Sequence, residues 1–505
     1  MRTRNWSYMK TKIASEIGLL LILTPLLQSA WLLAGDAAVA NPPPARTLAQ
    51  KQSLFDRVAE LNKVQEPELD SAKMGAEFDE LVRILRGNLR GAQSPKEKIE
   101  VLNKSILGDR EVAYLSNKYW RDSTLAASLL RRKGNCLSTS TLYVLAGEAL
   151  GLPIKMVLVP GHAFVRWDDG KEQINIETTN RGCCIPNTEY LSRWSQPDAL
   201  DIEQLGWGRS ISGDAVFAEL LLMAAYHRVG ENRLEDALKL MEQAEKLVPA
   251  RCDHRLGKLQ LVANITGRRT EAREKVWEMI NDQKQNPLPP SVESRALMFL
   301  AGDAAGDGNH ELERRFLIAA FKRAPKSDQL NVLSQLAFCM RALKDYRGAL
   351  RYMELAAAID PTDGTLYNLA ILQKCDGKLK DALATIRQAR KMNSESWNLQ
   401  ILEAGYLVLD GQTEAGQRLF ESLEKPRGDV DFWEIMQAWY FAATKQHDKF
   451  YVQLERALSI TRSTNILEWI DQDPDLDIYR EQEKFKALVE KHRLRLTGAK
   501  AETKK

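Results

Sequence analysis

An α+β domain followed by an all-α array of helix pairs is the architecture this sequence predicts, and three observations carry the prediction. Between Gly134 and Thr179 a helical apolar period gives way to short runs of Val, Ile and Phe separated by turn residues, which is the pattern of a helix followed by a small sheet. Beyond Pro197 the strand signals stop, and apolar and small residues recur in helix pairs with a period of about 34 residues. The length of 505 residues calls for more than one domain, while 44% hydrophobic and 28% charged residues fill the cores of a soluble body.

Taken in order, the first 40 residues read as an export leader, with a basic start (Arg2, Arg4, Lys10, Lys12), an apolar run from Ile17 to Leu33 and the small-residue site Ala38-Val39-Ala40. Cleavage there predicts a mature chain that begins at Asn41 in the periplasm or cell envelope, which an intact mass would check. Retention of the run would instead make it a membrane anchor, and Pro25, Gln28 and Ser29 argue against that. Residues 41–93 are read as the linker Asn41-Pro42-Pro43-Pro44 and a helical preface, with Leu54, Val58, Leu61, Phe78, Leu81 and Leu85 on its apolar face. A helix from Pro95 to Leu107 and helical segments Tyr114–Trp120 and Leu125–Arg132 then lead to Cys136. Trp120 is read as a core aromatic, with a cleft-lining role as the alternative.

Gly134-Asn135 break the chain, and Leu137, Leu142, Leu145 and Ala149 then repeat at helical spacing, which puts Cys136 in the first turn of a helix. A thiol acts as a nucleophile only as thiolate, and a helix N-terminus or a nearby imidazole favours that form. Gly151-Leu152-Pro153 ends the helix. Lys155–Val159 and Ala163–Trp167 read as strands joined through Pro160-Gly161 and His162, and Asp168-Asp169-Gly170 turns the chain into a strand Gln173–Thr178 that carries Glu177. The order is a helix with Cys, a strand with His and a strand with an acid.

Over about Ser94 to Asp198 this ordered set resembles the transglutaminase-like superfamily, and a domain at 94–210 with a papain-like core is the expectation. The resemblance implies that Cys136 is the nucleophile, His162 its general base and acid, and Glu177 the group that orients the imidazole. Two features depart from the family's pattern: its third residue is usually Asp, and no oxyanion donor is recognisable beyond the Cys136 backbone N–H. The implied activity is thiol-dependent acyl chemistry on a peptide or protein amide, by hydrolysis as in a cysteine peptidase or by transfer as in a transglutaminase. The alternative is a non-catalytic scaffold whose cleft only binds.

Other classes find little support. A formal net charge of +3 sets up no field that points to nucleic acid. His227, His254, His310, His447 and His492 are scattered without metal-ligand spacing, so neither a metal nor a cofactor is expected. Six cysteines are too few for a disulfide scaffold. Cys183 and Cys184 are adjacent, and in an oxidising compartment either is free to pair, with the partner left open.

The helix pairs are clearest at Leu221, Ala224, Ala225, Ala237, Met241 and Ala244, again at Leu333, Leu336, Ala337, Ala349, Met353 and Ala356, and next at Leu366, Leu369, Ala370, Ala382, Ile386 and Ala389. Small residues at these offsets let paired helices approach closely. Residues 211–496 resemble a tetratricopeptide solenoid, with Asp471–Leu488 as its closing helix. The resemblance implies a concave face that holds a peptide or protein partner. The polar tail 497–505 is expected to be disordered.

Overall fold

The computed structural model describes residues 52–110, 112–114, 120–193, 197–249, 251–265, 268–282, 287–426, 428, 430–461 and 465–497. The leader, the proline linker and the tail beyond Thr497 lie outside the described residues. The chain forms two compact units, one of residues 23–300 with 322–328, the other of residues 301–321 with 329–505.

In the first unit, helices α1 (Leu54–Gln65) and α2 (Ser71–Asn88) form the preface. Ser53 caps α1 in a reciprocal box with Asp56, so two orphan backbone donors are satisfied at once. Ser94 and Glu97 do the same for α3 (Pro95–Asn103), which continues as a single wide turn over Lys104–Gly108. Most of the helical reading of Tyr114–Trp120 falls on residues 115–119, which lie outside the described residues, and its two described ends are not part of such a helix. Ala113–Tyr114 (β1) pair in parallel with Lys133–Gly134 (β2), and Trp120 opens a tight turn that runs to Ser123. The next helix, α4, covers only Leu125–Leu129, because the backbone enters the left-handed region at Arg132 (φ 53°) and pairs as a strand straight afterwards.

Helix α5 (Cys136–Leu150) is buried from Cys136 through Gly147, so it reads as an all-round apolar core helix rather than an amphipathic one. It lies on an antiparallel sheet of order β5-β4-β3-β6, formed by β3 (Ile154–Val159), β4 (His162–Asp168), β5 (Gln173–Ile176) and β6 (Ser210–Ile211). Gly147 sets the approach. A Cβ there would stand 2.6 Å from the Ile154 Cβ, so only glycine lets the helix sit this close to β3. The edge strand β6 had no signal in the sequence. The apolar core runs without a break from Leu54 through the sheet to Ala272, so the preface, the sheet and the first helix pairs share one interior.

The first pairs are α8 (Asp214–Gly230) with α9 (Leu234–Leu247) and α10 (Cys252–Asn264) with α11 (Arg269–Asn281), preceded by the short helices α6 (Asn187–Arg193) and α7 (Ala199–Leu205). Helix α12 (Pro290–Gly306) and α13 (His310–Arg323) follow. In the second unit the pairs continue as α14 (Lys326–Ala342) with α15 (Tyr346–Ile359), α16 (Asp363–Cys375) with α17 (Leu379–Met392), α18 (Trp397–Leu409) with α19 (Thr413–Glu421), and α20 (Val430–Ala443) with α21 (His447–Ile460). The residues singled out in the three clearest repeats, from Leu221 to Ala389, are all buried. After α22 (Asn465–Gln472) the expected single closing helix is broken. Asp473 caps a tight turn at Pro474–Leu476, α23 (Asp477–Arg480) is one turn long, and α24 (Glu483–Thr497) closes the unit. Pro474 explains the break, since its missing N–H suits a helix start and cannot continue a helix interior.

Candidate functional site

Cys136 is the first helical residue of α5, preceded by Asn135 in an extended conformation. The Asn135 side-chain oxygen accepts from the backbone N–H of Leu137 and of Ser138, each at 3.0 Å, and the Ser138 hydroxyl takes the Asn135 N–H in return. Among the described residues this leaves the Cys136 N–H as the N-terminal donor of α5 with no hydrogen-bond partner. Donor and sulfur therefore belong to the same residue, at the positive end of a fifteen-residue helix.

His162 opens β4, opposite Val159 across the Pro160-Gly161 turn. Its Nε2 lies 2.8 Å from Glu177 Oε2, and the Cys136 side chain is close enough to the imidazole to help raise its pKa. The three side chains singled out from the sequence are thus brought together around one imidazole. All three are buried, Cys136 and His162 with 7% and 8% of their surface exposed.

Glu177 stands one residue beyond the end of β5, which is shorter than expected, and its backbone N–H bonds the Cys183 carbonyl at 2.9 Å. Gly182 shapes the intervening loop: its φ is +76°, and a side chain there would overlap Asn103, whose amide donates to the Gly182 carbonyl at 3.2 Å. One carboxylate oxygen of Glu177 accepts from the Thr179 N–H at 2.8 Å and from its hydroxyl at 2.5 Å. The other accepts from the Tyr190 hydroxyl at 2.8 Å besides facing His162. Glutamate in place of the family's usual aspartate has a local reason here. The longer side chain spans from its own turn to the imidazole and serves both.

These contacts set the charges. Burial raises the Glu177 carboxyl, but hydrogen bonds and charge from His162, then the Thr179 donors, hold it below its usual range as a carboxylate. Burial pulls His162 down, yet hydrogen bonds to Cys136 and Glu177 and their charges outweigh it and push the imidazole up to about 9. Burial first, then the Glu177 charge, drives Tyr190 strongly upward, so it stays a neutral donor. A raised imidazole pKa contributes stability in full below the ordinary value of 6.5, and that stability is lost as pH climbs through about 9. Thermal melts of wild type against His162→Gln should therefore show the largest wild-type advantage below pH 6.5 and a vanishing one above about 9. A gap that widens with pH would mean that the folded protein keeps this imidazole neutral.

Residues 72–203 match the family model described as Transglutaminase-like superfamily. This stretch is a transglutaminase-like domain. The match starts within α2, so part of the helical preface falls inside it. No curated protein matches the chain. Among solved structures, a tetratricopeptide repeat protein from Parabacteroides merdae is similar at 13% identity over 55% of this chain and 98% of that one, with a TM-score of 0.37. A thermophilic TPR protein of Thermus thermophilus is similar at 21% identity over 38% and 99%, with a TM-score of 0.29. A Rap protein complexed with competence and sporulation factor is similar at 12% identity over 79% and 99%, with a TM-score of 0.39.

Sequence reasoning missed Tyr190 and Thr179 in the transglutaminase-like domain. Tyr190 stacks on Phe164 at 3.9 Å between ring centroids and lies 5.9 Å from the His162 ring. Nothing in the helix Asn187–Arg193 announces that role, whereas Thr179, two residues past an acid at a strand end, is a readable turn signal. Trp120 packs 5.4 Å from the ring of His227, on α8. All six cysteines are free thiols, Cys183 and Cys184 exposed, and among the described residues no group of three ligands could hold a metal.

Proposed function

We propose that this protein carries out thiol-dependent acyl chemistry on a peptide or protein amide. The observation that supports it best is the imidazole of His162, shared between the Cys136 thiol and the fully hydrogen-bonded carboxylate of Glu177. The Cys136 proton passes to His162, and the sulfur attacks the amide carbonyl carbon. The carbonyl oxygen then carries the charge and meets the unpartnered Cys136 N–H at the helix N-terminus. Imidazolium returns the proton to the leaving nitrogen as the C–N bond breaks, which leaves a thioester. Water completes a hydrolysis and an amine completes a transfer, each giving up a proton to His162 and restoring the thiol.

The narrow exposure of Cys136 and His162 favours a slender amide side chain or an extended backbone over a folded surface. The helix pairs recruit the peptide or protein partner in this reading, and the leader places the chain in the cell envelope. The test is turnover on amide substrates with Cys136→Ala as control. All activity above background should vanish in the variant while its circular dichroism spectrum stays the same. Equal turnover in both proteins would leave the scaffold reading in place.

A further inference from the structure

Side chains alternate across β4, so the sheet has two unlike faces. Ala163, Val165 and Trp167 join the core shared with α5, whereas Phe164 belongs to a separate small apolar cluster with Val157, Val159, Ile185 and Tyr190. His162 and Arg166 stand on that second face, one on each side of Phe164. Arg166 is buried, and its guanidinium is spread over neutral acceptors. Nε donates to Asn175 Oδ1 at 2.7 Å, Nη1 to the Gly208 carbonyl at 2.9 Å and the Ser210 hydroxyl at 3.3 Å, and Nη2 to Asn187 Oδ1 at 2.5 Å.

Asn187 is the first residue of α6, and Asn175 Nδ2 donates to the same Asn187 oxygen at 3.0 Å, so the start of this short helix is gripped by β4 and β5 together. Tyr190 follows three residues later, on the same side of the helix. Its ring is fully buried and lies nearly parallel to Phe164, with 5° between the planes, and this stack places it whether or not the hydroxyl is present. The hydroxyl has a different partner: it donates to Glu177 Oε2, the oxygen that also faces His162. Thr179 meanwhile holds Oε1 through two donors, so the carboxylate keeps its place without Tyr190.

We infer that Tyr190 is a positioning residue whose hydroxyl limits how strongly Glu177 draws charge onto His162, and that Arg166 and Asn187 act through it by fixing α6. Each donor bonded to a carboxylate spreads its charge and weakens its hold on a further proton. A Glu177 bonded by Tyr190 therefore stabilises imidazolium less than one without it. This matters for the return of the proton, because imidazolium must give it to the leaving nitrogen, and one held too firmly is a poor acid. The inference deepens the proposed function and rests on the reading of Cys136 and His162 as its reacting pair.

The test follows alkylation of Cys136 by iodoacetamide against pH in the full chain, resolved by mass spectrometry from the exposed Cys183 and Cys184. Tyr190→Phe removes the hydroxyl and leaves the stack. It should move the midpoint of the alkylation profile to lower pH by roughly 0.5–1 unit, so that labelling on the acid side of the midpoint rises about 3- to 10-fold. Asn187→Ala should move it the same way by less, and the double variant should match Tyr190→Phe alone, because Asn187 acts only through Tyr190. A midpoint that stays or rises in folded Tyr190→Phe overturns the inference, as does a double variant in which the two shifts add. An unfolded Tyr190→Phe protein also overturns it, since the hydroxyl would then be holding the fold. Alkylation needs no amide substrate, so a wild type without turnover would strike the acyl reading and leave this result readable.

Discussion

Replacing His162 by Ala is expected to slow labelling of Cys136 by a thiol-directed reagent at neutral pH by roughly 100-fold or more, the range in which positioned acid–base groups act. The expectation follows from the site's arrangement. The Cys136 side chain helps to raise the pKa of the imidazole, and Glu177 fixes that ring through Nε2 at 2.8 Å. The readout must be resolved by site through mass spectrometry, since Cys183 and Cys184 are exposed and react in either protein. Glu177→Gln should fall between wild type and His162→Ala, because the amide still faces the imidazole but no longer supplies a charge. Unchanged labelling of Cys136 in His162→Ala, with the fold intact, would remove the nucleophile from the account and favour a cleft that only binds.

The largest effect on stability is expected at Arg251. This residue precedes α10 and is 5% exposed, yet its guanidinium grips Asp253 at 2.9 and 2.8 Å and reaches Glu219 of α8 at 3.3 Å. His254 completes the cluster 3.2 Å from the same Glu219 oxygen. Burial would raise the Asp253 carboxyl, but Arg251 and then His254 hold it far below the usual range, so it stays charged inside the unit. Arg251→Met strips the cation from two buried carboxylates and should destabilise by about 3–5 kcal/mol, a loss of roughly 10 °C or more in the melting temperature. Arg251→Met with Glu219→Leu and Asp253→Leu removes the charges together and should recover most of that loss. If the single variant melts within about 1 °C of wild type, the cluster is solvated and contributes little.

Much of the architecture was open to reading from the chain alone because it rests on local patterns. The helix that begins at Cys136 is announced by Gly134-Asn135 and the apolar spacing after it, and the hairpins by Pro160-Gly161 and Asp168-Asp169-Gly170, whose glycines adopt φ of +74° and +81°. The repeats were legible because the offsets of Ala224, Ala337 and Ala370 recur with a fixed period, and each of these residues is fully buried between helices. Readings that failed lacked such a pattern. Tyr114 pairs as a strand with Gly134, and the edge strand at Ser210–Ile211 is two residues long, so neither leaves a periodic trace.

By itself, then, the sequence determined the order of helix, sheet and helix pairs, and which three side chains stand at the helix start and the strand ends, since periodicity and turn chemistry act over a few residues. Only the tertiary structure decided what surrounds them. Tyr190 reaches Glu177 because α6 folds back over the sheet, Arg251 meets Glu219 because two helices of different pairs pack together, and Asp475 meets Lys374 across several repeats. Nor does the interior stop where the sequence changes its pattern near residue 211, because the apolar face of α8 packs into the core already begun by Leu54 and Val58. The physical reason is the same throughout. Contacts between segments far apart in the chain depend on the shapes and charges of both partners once folded, and no window of neighbouring residues contains both.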